Sequence, residues 1–158
     1  MIQLIAMGLM LEDVNAEVSR AFAAMVTEQQ KNNSAFGDPI LQAKGVADLN
    51  GDSLRDCVVV FSYSVSGGVH GQVQFLSVIA SSPKGYVPSW PVSVGARGFR
   101  DFREVTIEGT KITLRGDFNV SDETTGMAEL PASGEVYYSY ENGKLREQGG
   151  SWTRKRDE

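Results

Sequence analysis

Cys57-Val58-Val59-Val60-Phe61-Ser62-Tyr63-Ser64 decides the fold class. Five apolar residues in succession leave no polar face, so the start of this segment must be covered on both sides. Alternation begins only at Ser62, where one face can turn outward. A short β-rich run of this kind, bounded by Asp56 on one side and Ser66-Gly67-Gly68 on the other, reads as a central strand of a sheet.

Downstream the same grammar repeats. Residues 69 to 80 place Val69, Val73 and Phe75 on one face and His70, Gln72 and Gln74 on the other, a hairpin partner with one wet face. Val105-Thr106-Ile107 and Ile112-Thr113-Leu114 flank the turn Glu108-Gly109-Thr110-Lys111. Glu135 to Tyr140 alternates strongly and meets Asn142-Gly143, the strongest short signal for a type I′ hairpin. The last strand is expected over 144–148.

Upstream the period changes. Val14, Val18, Ala21, Phe22, Met25 and Val26 form the stripe of an amphipathic helix over 13–31, with Asp13 as its N-cap. Lys31-Asn32-Asn33-Ser34 ends it, and Gly37 and Pro39 prevent its continuation. The expectation is therefore an α+β fold. One N-terminal amphipathic helix packs on a twisted antiparallel sheet of about six strands, as a single domain over 1–148 with a mobile tail over 149–158.

The chain's 158 residues suit one domain and can bury about two-thirds of their extended surface. Apolar residues at 41% and charged residues at 22% exclude disorder and collagen as the main state. One cysteine excludes an intrachain disulfide framework. With 15 basic against 20 acidic residues the net charge is −5, which repels a phosphate backbone and disfavours nucleic-acid binding. The apolar start, residues 1–11, is far short of the roughly 20 residues a membrane span needs. It also lacks the positive n-region of a signal peptide.

Chemistry-bearing motifs are sparse. His70 is the only histidine and Cys57 the only cysteine, too few for a zinc cluster. Cys57 opens the most apolar strand and is expected to be an inert buried thiol. Asp101 with Glu104, and Asp122 with Glu123, read as solvated loop charges. No nucleophile elbow and no phosphate-cradling loop occurs. No catalytic residue is assigned, and the chain is read as non-enzymatic.

Two stretches stand out. Asp48-Leu49-Asn50-Gly51-Asp52-Ser53-Leu54-Arg55-Asp56 spaces the side-chain oxygens of Asp48, Asn50, Asp52 and Asp56 so that a tight loop could aim them at one hard cation. The same letters also make stacked Asx turns without any metal. This string resembles the acidic loop of FG-GAP and VCBS-type repeats, with Ser53 where those families carry glycine. The resemblance implies Asp48, Asn50, Asp52 and Asp56 as ligands, calcium as the ion, and a periplasmic or exported protein. The sequence as written reads as cytoplasmic, and no cofactor is required.

The second stretch, residues 84–104, gathers Tyr86, Trp90, Phe99 and Phe102 with Arg97, Arg100 and Arg103, beside Pro83, Pro88 and Pro91. Aromatics and arginines are over-represented at binding hot spots. Tyr86, Trp90, Arg97, Phe99, Arg100 and Arg103 are therefore the candidate partner-binding residues. The alternative is that the aromatics cap the sheet while the arginines pair with Asp101 and Glu104. The leading functional expectation is a small bacterial protein-binding or inhibitory, immunity-like protein. The two alternatives are a calcium-dependent module of an exported protein, and a cone-sheet small-ligand carrier or enzyme with His70 or a carboxylate facing a cavity.

Overall fold

A computed structural model of the chain describes residues 16–66, 72–96, 100–121 and 129–154. Asp13, Val14, His70, Asp122 and Glu123 lie outside these residues. Helix α1 spans Ala16–Asn32. The strands are β1 (Phe36–Ala47), β2 (Asp56–Val65), β3 (Gln72–Ala80), β4 (Val87–Pro88) and β5 (Val92–Ala96). They continue as β6 (Arg100–Glu108), β7 (Lys111–Ser121), β8 (Glu129–Glu141) and β9 (Lys144–Arg154).

All pairings are antiparallel, in the order β1-β2-β3-β5-β6-β7-β8-β9, with β4 pairing β3 beside β5. The α+β class thus holds, but the chain is mostly β, with nine strands among the described residues where about six were expected. The ladder narrows to one pair, Ala96↔Arg100, between β5 and β6. Strands β1 to β5 and β6 to β9 consequently form two antiparallel layers facing each other. β1 lies against β6, where a Cβ on Gly45 would meet Val105 and Ile107 side-chain carbons at 3.0 Å.

The strands of the second layer approach closely at two glycines. At Gly116 a Cβ would meet the Asp101 carbonyl and the Phe102 Cα at 2.8 Å, and at Gly134 the Ser151 carbonyl and the Trp152 Cα at 2.7 Å. Neighbouring backbones occupy the space that side chains would need, the way glycines let a sheet coil tightly.

β2 is the strand the sequence marks as central, and its two faces serve two cores. Val58 and Val60 point between the layers with Leu76, Val78, Phe102, Ile112 and Leu114. Cys57, Val59, Phe61 and Tyr63 point the other way, onto Val18, Phe22, Met25 and Val26 of α1. Phe22 meets Phe61 edge to face with centroids 5.1 Å apart, and the Tyr63 hydroxyl donates to Gln29 Oε1 at 2.9 Å. Each such aromatic contributes roughly 1.5–3 kcal/mol by burial.

Three expectations are corrected. β3 has no wet face, because Gln74 is buried and bridges the layers. Its Nε2 donates to Asp101 Oδ1 at 2.9 Å, and its Oε1 accepts the Phe102 amide at 2.8 Å. The β-rich runs of the sequence start at residue 40, but the sheet begins at Phe36, and Pro39 is tolerated because β1 is an edge strand. Residues 149–154 are not a tail but the end of β9, paired with β8 from Tyr137↔Gly149 to Ala132↔Arg154. The paired glycines there do not end the strand: Gly149, with its φ of 135°, pairs with Tyr137, and the register shift between Tyr137 and Tyr138 is taken up by the extra residue Gln148. Residues 155–158 lie outside the described residues.

Candidate functional site

The acidic loop joins β1 to β2 and folds as a cascade of side-chain turns. Asp48 accepts the Gly51 amide at 2.7 Å and the Ser53 amide at 2.9 Å. Asn50 Oδ1 accepts the Asp52 amide at 3.1 Å, and Asp52 Oδ1 accepts the Leu54 amide at 2.8 Å. Asp56 is fully buried and accepts the Leu49 and Ser81 amides at 2.7 and 2.8 Å. Gly51 and Ser53 take left-handed φ values of 78° and 66° to close the loop.

The Asx-turn alternative therefore describes the work these oxygens do. Among the described residues, no group of three or more His, Cys, Asp or Glu side chains is placed to hold a metal ion. The loop leans on the end of β3 through Ser81, whose hydroxyl is within reach of both Asp52 Oδ2 and Asp56 Oδ1. That hydroxyl, and then the Leu54 amide, hold the Asp52 carboxyl below the usual carboxylate range.

A cleft of about 740 Å³ opens where this loop meets β4 and the β8–β9 turn. Asn50 and Ser81 form one wall, Val87 and Trp90 a second, and Tyr140 and Glu141 a third. The turn beneath is the type I′ turn expected at Asn142-Gly143, with φ values of 51° and 75°. Burial, then the nearby Asp56 charge, pushes the Tyr140 phenol up. Trp90 also borders a second hollow of about 280 Å³, whose other wall is the edge of α1 at Ala21, Ala24 and Glu28. The indole, 62% exposed, stands as a ridge between the two, and Val87 beside it is 52% exposed.

The six partner-binding candidates do not form one surface. Tyr86 packs on the α1 side and Trp90 forms the ridge. Arg100 is held by Glu147 at 3.3 Å and Arg103 by Asp101 at 2.8 Å, both in the β6–β9 layer. Arg97 and Phe99 lie outside the described residues. The arginine pairing with Asp101 follows the structural alternative, because β6 is a strand and sets its exposed side chains beside local carboxylates.

A polar trough of about 530 Å³ lies over the β6–β9 layer, with Arg103, Arg115, Glu135 and Trp152 on its walls. Arg115 and Glu135 pair at 2.7 Å, which raises the guanidinium and lowers the carboxyl. Tyr137 donates to Glu135 at 3.0 Å and lies under the Lys111 ammonium, 4.0 Å from its ring centre. The space between the two layers, where a cone-sheet ligand would sit, is filled by Phe102, Leu114, Phe118 and Val136.

Sequence reasoning reached Asn50 and Trp90 but not that they share a cleft. Ser81, Val87, Tyr140, Glu141 and Glu28 carried no local signal. Glu28 is legible only in retrospect, as the residue that continues Ala21 and Ala24 along one helix edge. Comparison with protein-family models, curated proteins and solved structures gives no match.

Proposed function

We propose that this chain is a non-enzymatic protein-binding domain whose contact residue is Trp90. The observation that carries the reading is the exposure of that indole, 62%, on a ridge with Val87 and Pro88 and with hollows on both sides. A large aromatic left in water beside apolar neighbours costs solubility and gains contact area only when a partner covers it.

The surroundings of the described ionisable side chains favour binding over acid–base chemistry. Arg103, Arg115, Asp52 and Glu135 are strengthened in their ordinary charged states, and Tyr63, Tyr138 and Tyr140 are pushed up. None of these shifts moves a group toward neutrality, where a general acid or base works. An inhibitory, immunity-like role is the form of binding that fits a small acidic domain.

Co-purification tests the proposal. Tagged wild type is compared with Trp90→Ala and, as control, Trp152→Ala on the other layer. A partner retained by wild type and the control but reduced at least about tenfold by Trp90→Ala is the expected result, the size of a hot-spot loss. Equal recovery with Trp90→Ala rejects the reading.

A further inference from the structure

On the reading that Trp90 engages a partner, we infer that the partner's contacting segment is basic, with Lys or Arg side chains set beside an apolar residue. The ridge separates two hollows, and each has one charged lining side chain. On the cleft side it is Glu141, and on the helix side Glu28.

Both carboxylates are exposed, and among the described residues neither belongs to an ion pair. The arginines Arg100, Arg103 and Arg115 of the β6–β9 layer are by contrast each paired with a carboxylate, Glu147, Asp101 and Glu135. A carboxylate outside any ion pair among the described residues is thus placed on each side of an exposed indole. Lys84 and Lys144 line neither hollow, although Lys144 is the ladder partner of Glu141 across the β8–β9 turn. Asp52 and Asp56 stand behind the cleft wall at Ser81 and add to the same sign of field.

These features select one chemistry. A Lys or Arg head can sit over the indole face or beside either carboxylate, since Trp is the strongest cation–π acceptor. Its aliphatic stem can lie along Val87 and Pro88 while the charge stays in water. An acidic segment would meet like charge on both sides of the ridge.

The test uses two blocked pentapeptides, Ala-Arg-Leu-Arg-Ala and its counterpart with glutamate in place of arginine. The full chain carries Trp152→Phe, so that fluorescence reports Trp90 alone. At low ionic strength the basic peptide is expected to change the emission saturably and to bind about fivefold more tightly than the acidic one. In Glu28→Lys/Glu141→Lys, and more mildly in Glu28→Gln/Glu141→Gln, the preference should fall to parity or reverse.

Equal binding of the two peptides, or tighter binding of the acidic one, overturns the inference and leaves the ridge itself as a contact surface. No response to either peptide also overturns it, while the co-purification with Trp90→Ala decides the ridge separately.

Discussion

Asp56 and Ser81 are joined twice: Asp56 Oδ1 accepts the Ser81 backbone amide at 2.8 Å and lies 2.9 Å from its hydroxyl. With Leu49 donating to the other oxygen, this buried carboxylate ties the acidic loop to the first residue of β2 and the end of β3. It therefore shapes one wall of the cleft beside Trp90.

Removing it should be costly. Asp56→Ala leaves the buried Leu49 and Ser81 amides without acceptors, and a loss of about 3 kcal/mol is expected from two unsatisfied donors. Asp56→Asn, which keeps one acceptor oxygen, should lose less. Urea unfolding measures both, and a loss under about 1 kcal/mol for the alanine variant would contradict the tie.

Gly134 should not tolerate a side chain. A methyl group there meets backbone atoms of Ser151 and Trp152, which cannot swing away as a side-chain tip could. Gly134→Ala is expected to lose about 1–3 kcal/mol by overpacking. Gly109→Ala at a turn, where nothing lies within 4 Å of the added carbon, separates this clash from the cost of a left-handed φ of 59°.

The loop's oxygens accept from its own amides and from Ser81, and the ligand-linkage relation tests whether they also hold an ion. Addition of about 5 mM calcium should move the melting temperature by less than about 1 °C, since an ion that does not bind the native state adds no stability. A rise of several degrees, lost in Asp48→Ala, would restore the reading as a calcium module.

How much of this was legible in the sequence depended on distance along the chain. The i, i+4, i+7 spacing of Val18, Phe22 and Met25 marked α1, and the run Cys57 to Phe61 marked a strand covered on both faces. Asn142-Gly143 marked its turn through the φ values that only such residues adopt readily. The second layer was not legible, because Gly45 meets Val105 and Ile107 some sixty residues away and no local period encodes that approach. Gly149-Gly150 reads as a chain end unless one knows that Val136 lies across from Gly150. The cleft failed for the same reason, since Asn50, Trp90 and Glu141 converge only through strand order.

Alkaline pH should unfold the domain in step with tyrosine ionisation. Burial, as the leading cause, raises the Tyr63, Tyr138 and Tyr140 phenols above their ordinary 10.0. Above that pH the unfolded chain has lost protons that the native state still holds, so stability falls as pH rises, and it is fully present below it. Phenolate absorbance of these residues should appear together with loss of near-UV circular dichroism. Ionisation of all tyrosines at their ordinary value with the fold intact would contradict the burial.

Whether Trp90 is a contact residue or a structural one is tested most directly by the stability of Trp90→Ala in urea. An unfolding free energy within about 0.5 kcal/mol of wild type is predicted, the range of surface substitutions away from packed features. A loss of about 2 kcal/mol or more would show that the indole holds the fold together, and would contradict its place as a ridge kept for a partner.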